Sequence, residues 1–254
     1  IGSFQSPLIE TIIIIFMFLA AINFTLHYNL IFKKNNSYFR DTEFRFYVLA
    51  LIIFTSIISF NIASSHYGFE LNAFRHGLFT TVSLLTTTGF TTENFGAWPP
   101  FSNMLVFVLF FIGGSAGSTT GALKIIRTIV IFKFLIFEVK KLIHSKGVFN
   151  INLGKKVIDD DVVKATLGFY MFYIFIFIIT SLLLSATGLD FMTALSASAA
   201  SIGNIGPGLA GVGPAESWGG LNVFAKYLTS FCMILGRLEI FTIMVLFSRS
   251  FWKR

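Results

Sequence analysis

Leu84-Leu-Thr-Thr-Thr-Gly-Phe-Thr-Thr92 is a run of hydroxyl side chains around one glycine. It follows an apolar stretch too short to cross a membrane and precedes one long enough to do so. Ala197-Ser-Ala-Ala-Ser-Ile-Gly-Asn-Ile-Gly206 stands in the same relation to its neighbours. Two short re-entrant segments that end in small, polar, glycine-containing loops suggest a pore. Such a pore takes water from a cation and offers backbone carbonyls in exchange.

Composition supports a membrane setting. The chain is 55% hydrophobic and only 12% charged, with 33 Phe residues. A soluble domain carries about twice that charge. The net charge of +7 invites a nucleic-acid reading, but most basic residues lie in linkers between apolar segments. That is the positive-inside pattern and not a binding face, so no nucleic-acid partner is expected. The single cysteine, Cys232, sits in an apolar segment and reads as a buried structural thiol. Ser6 and Pro7 can open a helix, with Glu10 in its first turn. The chain begins Ile1-Gly-Ser-Phe and reads as a piece of a longer protein that starts at the outer end of a membrane helix.

Crossing the hydrocarbon core takes roughly 20 apolar residues. Spans are expected at about residues 7–31, 44–63, 103–137 with an interruption, 162–186 and 221–247. Lys33, Lys34, Arg40 and Arg45 separate the first two. Lys140, Lys141, Lys146, Lys155, Lys156 and Lys164 separate the third and fourth, and Arg249, Lys253 and Arg254 follow the fifth. These linkers belong on the cytoplasmic side. The other connections then face outward with few basic residues (Arg75 is one) and with Glu70, Glu93, Asp190 and Glu216. Each holds a re-entrant-length stretch, 73–85 and 191–200. Trp98 and Trp218 fall where an interfacial aromatic belt would lie. Asp159-Asp-Asp161 reads as a solvated helix start favoured by the dipole.

The order span, re-entrant helix, glycine loop, span occurs twice, at about 44–137 and 162–247, with Gly89 and Gly203 in matching places. The fold class is therefore an all-α membrane protein of repeated span–pore helix–filter loop–span units around a central ion pore. The organisation is 1–43 for a closing helix and linker, 44–161 for one repeat with its linker, and 162–254 for the next. The C-terminal end of each re-entrant helix carries partial negative charge and would face a cation. Irregular backbone at that depth is tolerated where it is buried or lines a wet cavity. Thr86, Thr87, Thr88 and Ser201 add hydroxyl oxygens. A monovalent cation needs several weak oxygen ligands, bound loosely enough to leave.

These residues resemble the Trk/Ktr/HKT superfamily of potassium transporters, and specifically the bacterial Trk membrane subunit. The matching segments are Thr86-Thr-Thr-Gly-Phe-Thr-Thr92, Gly113-Gly-Ser-Ala-Gly-Ser-Thr-Thr-Gly-Ala-Leu-Lys124, Ser201-Ile-Gly-Asn-Ile-Gly-Pro-Gly208 and Gly236-Arg-Leu-Glu-Ile240. The linker Ile143-His-Ser-Lys-Gly-Val-Phe-Asn-Ile-Asn-Leu-Gly154 favours the Trk branch over the Ktr branch. The resemblance implies four such units in one chain, of which this sequence holds the close of the second and all of the third and fourth. It implies a filter at Thr87, Thr88, Gly89 and Phe90 and at Ser201, Ile202, Gly203 and Asn204. The transported ion is potassium, with sodium permeation left open. It also implies a dimer of membrane subunits in the bacterial cytoplasmic (inner) membrane and a cytosolic nucleotide-binding regulatory subunit. A four-part carbonyl cage cannot be built from two parts, so the missing N-terminal half is a required partner, alongside membrane lipid. No cofactor site is visible.

Three readings compete for the glycine stretch in the third span. A phosphate loop needs Lys-Ser/Thr directly after its last glycine, and Lys124 lies three places beyond Gly121. Gly113, Gly117 and Gly121 form a GxxxGxxxG series that suits a tight helix contact. The resemblance implies a third reading: an unwound gate loop made of Gly113, Gly114, Ser115, Ala116, Gly117, Ser118, Thr119, Thr120 and Gly121, touched by Arg237. Arg237 and Glu239 lie inside the fifth span, where charges face the interior and mark function. Two places apart, they need separate partners. Arg237 either latches the loop and tunes ion passage or clamps helices together. Lys124 and Arg127 read as the inner end of the third span. His27, His66, His76 and His144 share no ligand spacing, and no catalytic constellation is present, so the chain is not expected to be an enzyme. The function expected is potassium uptake, and an ion-coupled symporter with broken helices is the alternative.

Overall fold

The computed structural model describes residues 1–34, 38–67, 71–144, 150–154, 156–246 and 249–252. Of the residues named above, Glu70, Ser145, Lys146, Gly147, Val148, Phe149, Lys155, Lys253 and Arg254 lie outside these, as does the end of the fifth expected span.

The elements follow the hydropathy pattern, with breaks the pattern did not announce. Helix α1 covers Pro7–Ala20 and α2 covers Phe24–Ile31. The two are bent by 97°, so the first expected span is not one straight helix. Neither Pro nor Gly causes the bend. Helix α1 ends at Ala20, and Asn23 opens α2, its side chain accepting the Thr25 N–H at 2.8 Å as a cap. Helix α3, Thr42–Ile62, is capped by Asp41, which accepts the Phe44 N–H. Re-entrant helix α4 is Leu71–Leu85. Then come α5, Pro100–Leu109, an irregular stretch, and α6, Ile125–Ile143.

A two-residue antiparallel ladder, β1 Asn152–Leu153 with β2 Lys156–Val157, follows. The second unit has α7, Asp160–Ala186, re-entrant α8, Phe191–Gly203, then α9, Val223–Arg237, and the short α10, Ile240–Leu246, and α11, Arg249–Trp252. Among the described residues, two unbroken helices are long and apolar enough to cross a membrane, 42–65 and 160–186, or three if the bent pair is one span. The third and fifth expected spans are each two helices. The interruption in the third was legible, whereas that at residues 238–239 in the fifth was not.

Each re-entrant helix is buried inside its own unit. Gly77 and Phe79 of α4 and the run Ala197–Gly203 of α8 are buried. The main apolar core joins the α1–α2 break, α3, α4 and the end of α5 through Ile22, Tyr47, Ile58, Leu84, Leu109 and Phe110. A second core joins α7, α8 and α9 through Leu184, Ala197 and Ala225. The units meet through aromatic edges: Phe111 sits edge-on to Phe177 with centroids 5.1 Å apart and to Tyr173 at 6.3 Å, contacts worth ~1 kcal/mol each beyond area burial. Trp98 is 4% exposed and packs on Phe95. It is a buried residue of the segment between α4 and α5, its indole N–H donating to Glu93 at 3.4 Å.

Candidate ion pathway

Helix α4 ends at Leu85 and α8 at Gly203, and the chain turns after each in the same way. The Thr87 N–H bonds the carbonyl of Leu84 and that of Thr88 the carbonyl of Ser83. Likewise the Asn204 N–H bonds Ser201 and that of Ile205 bonds Ala200. Thr87 (φ 51°) and Asn204 (φ 54°) are left-handed, and so, two places on, are Gly89 (φ 76°) and Gly206 (φ 114°). The first pair are left-handed helix caps. The second pair are where only glycine turns without steric cost.

The structural match is therefore Thr86–Phe90 with Gly203–Pro207. Gly89 corresponds to Gly206, three residues beyond the Gly203 expected from the sequence. A Cβ added at Gly206 would lie 3.7 Å from Gly89 Cα, and one at Gly89 would fall 1.9 Å from the Ile205 carbonyl oxygen. The two turns thus face each other across a close backbone contact.

This shift moves the position that matches Gly89 from Gly203 to Gly206. Ser201, Ile202 and Gly203 are the buried last turn of α8. The Ser201 hydroxyl donates to the Ala197 carbonyl at 2.6 Å. The Gly203 carbonyl accepts the Ala122 N–H at 3.0 Å. The Ile202 carbonyl accepts the Asn204 side-chain amide at 3.5 Å. In the first loop the Phe90 carbonyl is held by the Ser83 hydroxyl at 2.6 Å. Among the described residues, the carbonyls of Thr87, Thr88, Gly89, Asn204, Ile205 and Gly206 accept no hydrogen bond. Those oxygens sit at the C-terminal ends of two helices, where the macrodipole favours positive charge. Ser83 and Ser196 were missed by the sequence reading. Ser196 donates to the Leu209 carbonyl at 3.0 Å, so each hydroxyl staples the chain leaving its loop to the helix entering it.

The glycine stretch lies beside both turns. Thr87 Oγ1 accepts the Gly121 N–H at 2.7 Å, and the next N–H, of Ala122, bonds Gly203. The stretch is irregular between Leu109 and Ile125, so its three spaced glycines are not a helical contact. Its neck is closed by the Gly113 N–H to the Leu123 carbonyl, 2.8 Å, and the Ile125 N–H to the Gly114 carbonyl, 3.1 Å. Its tip docks on the α1–α2 break. The Ser115 N–H bonds the Ala21 carbonyl at 2.9 Å, and the Phe24 N–H bonds the Gly117 carbonyl at 3.1 Å. Groups freed by one break satisfy groups freed by the other, as buried backbone requires.

Arg237 and Glu239 have separate partners. Arg237 Nη1 donates to the Thr119 carbonyl at 2.6 Å. Glu239 pairs with Arg127 at 2.7 Å, and the Arg127 guanidinium lies 3.9 Å over the Phe169 ring. Both stand at the break between α9 and α10, with Glu239 itself left-handed (φ 59°). Lys124 occupies the N-cap position of α6 without a side-chain cap bond, and its ammonium instead bonds the Thr120 carbonyl and hydroxyl. Lys124 and Arg127 are thus at the break of the third span, and α6 runs on to Ile143. Together with Gly117, Gly121 and Tyr173 these residues line a cavity of about 230 Å³. A second cavity of about 360 Å³ touches Gly89, Gly206 and Glu216.

Buried re-entrant helices, turns of matching geometry and broken spans define an all-α membrane protein built from repeated span, re-entrant helix and loop units. A family described as TrkH, cation transport protein, matches residues 1–254, and the chain belongs to that family. It is 38% identical over 257 residues to the Trk system potassium uptake protein TrkH of Salmonella typhimurium, covering 100% of this chain and 52% of the relative. It is 39% identical to TrkH of Halomonas elongata, covering 100% and 52%. The crystal structure of the potassium transporter TrkH from Vibrio parahaemolyticus is similar with a TM-score of 0.92 at 37% identity, covering 100% of this chain and 55% of that one. The chain thus spans about half the length of these relatives.

Proposed function

We propose that this chain supplies half of a potassium-selective path in a Trk-type uptake system of the bacterial cytoplasmic membrane. The observation that carries the reading is the matched pair of turns at Gly89 and Gly206. Their carbonyls are left unbonded at the C-terminal ends of two buried helices. Carbonyl dipoles in that setting replace a cation's hydration shell without a fixed charge that would trap it. The filter oxygens are those of Thr87, Thr88 and Gly89 with Asn204, Ile205 and Gly206. The other two quarters come from the N-terminal half of the same subunit.

The stretch Gly113–Gly121 forms a constriction below the filter, with Arg237 fastening it through Thr119. A dimer of such subunits and a nucleotide-binding regulator that pulls on this stretch complete the system. The ion is cargo, not a cofactor, and whether sodium also passes depends on the completed ring. The test is potassium and sodium flux through the full-length protein carrying Gly89→Ser or Gly206→Ser. Potassium-over-sodium selectivity is expected to relax in both. Selectivity retained in both would remove the filter assignment.

A further inference from the structure

Glu43 lies in the first turn of α3, where a bland reading would make it a solvated dipole partner. It is only 6% exposed. Its Oε1 accepts the Ala116 N–H at 2.6 Å and the Ile126 N–H at 3.2 Å. The first donor is in the glycine stretch and the second is in the opening turn of α6. Lys124, at the cap position of α6, makes no side-chain cap bond. Glu43 therefore caps α6 from a neighbouring helix with a carboxylate, the charge that a helix start favours. One oxygen holds the inside of the irregular stretch and the point where helix resumes.

The second fastening is the α1–α2 break, where Ala20 and Ala21 carbonyls accept from Thr119 and Ser115 and Phe24 donates to Gly117. On the near side of the stretch stands Arg237. These holds come from three elements, and Glu43 is the one buried side-chain acceptor among them with two backbone donors. Hydrogen bonds to an ionised acceptor are about twice as strong as neutral ones. Losing this acceptor leaves two part-buried amides without their partner, and the stretch then loses its hold through Ala116.

We propose that Glu43 is a positioning residue for ion passage: it pins the Gly113–Gly121 stretch in its resting place through Ala116 while capping α6 through Ile126. This rests on the reading of that stretch as the constriction. The test uses the full-length protein freed of other cysteines and carrying Ser115→Cys, because Ser115 is 1% exposed in the resting stretch. Glu43→Ala, Glu43→Asp and Glu43→Gln are compared for thiol modification rate at position 115 and for potassium flux without the regulator.

Glu43→Ala is expected to speed modification at least tenfold and raise unregulated flux. Glu43→Asp, one methylene short, is expected to do so less. Glu43→Gln, which keeps an acceptor oxygen, is expected to stay within about threefold of wild type. If Glu43→Ala does not accumulate in the membrane, Glu43→Asp decides. Unchanged modification in Glu43→Asp and in any Glu43→Ala that accumulates overturns the tether. Faster modification with unchanged flux keeps the tether and instead overturns the reading of the stretch as a constriction.

Discussion

The two units of this chain agree at their turns and differ below them. Thr86–Phe90 and Gly203–Pro207 repeat the same hydrogen bonds and the same left-handed positions. Below, the first unit breaks its closing span with the long irregular stretch between Leu109 and Ile125, and the second breaks it within Leu238 and Glu239. The difference teaches where symmetry is needed. The turns present like sets of unbonded carbonyls in both units, whereas the long irregular stretch occurs once and is docked by groups from several elements. The short break in the second unit supplies docking groups, Arg237 above all, for the long break in the first.

The largest effect should come from filling the close backbone contact between α8 and α9. A Cβ at Gly236 would lie 1.9 Å from the Ile202 carbonyl oxygen, a backbone atom in a buried helix end. Gly236→Val is expected to destabilise by about 3 kcal/mol or more, read as thermal stability in detergent. Gly220→Ala, with nothing within 4 Å of its added Cβ, is the matched control and should stay within about 0.5 kcal/mol. Equal losses in both would break the view that α8 and α9 are held by backbone proximity.

The two turns can be separated next. Gly89→Ala drives a methyl into the Ile205 oxygen, whereas Gly206→Ala meets only ordinary contact at 3.7 Å, though its φ still disfavours a side chain. Selectivity should therefore fall further for Gly89→Ala than for Gly206→Ala. The reverse order, measured as the potassium-to-sodium flux ratio, would count against the facing geometry.

Two charges two residues apart offer a smaller contrast. Arg237→Ala removes a charge-assisted bond to the irregular stretch, about 1.5–3 kcal/mol in similar settings, and basal flux should rise roughly tenfold. Glu239→Gln weakens an ion pair whose carboxylate side chain is 53% exposed, worth ~0–1 kcal/mol, so its flux should change little. A loss of folding in Arg237→Ala, with no flux gain in the protein that survives, would make the arginine a helix clamp only.

The smallest effect is a pH dependence at the start of α8. Asp190 accepts the Thr193 N–H at 3.1 Å. The Thr193 side-chain and backbone bonds hold its carboxyl below the usual aspartate range. A depressed carboxylate contributes stability above its unfolded value, and that contribution is lost as pH falls through the folded value. Wild type should lose this increment below about pH 4, and Asp190→Asn, which keeps an acceptor, should not. Parallel acid curves for the two proteins would refute it.

Much was legible in the chain. Hydropathy and segment length located α3, α4, α7 and α8. The Thr-Gly and Gly-Asn runs located both turns, and the spacing of Arg237 and Glu239 foretold separate partners. The slip from Gly206 to Gly203 arose because both glycines follow the same apolar helix. Which one turns depends on where α8 stops, and its last hydrogen bonds set that point. Glu43 carries no local signal of its role because its two donors, Ala116 and Ile126, lie far along the chain. The bend at Asn23 gave only one capping side chain inside an otherwise continuous apolar run.

Sequence alone determined that this is a membrane chain of repeated span, re-entrant helix and glycine-loop units, because hydrophobic length and local backbone freedom are properties of short segments. Tertiary structure alone decided which glycine faces which, which carbonyls are left unbonded, and what holds the irregular stretch. Those outcomes depend on backbone groups from distant segments satisfying one another, and no local pattern of residues records such pairings.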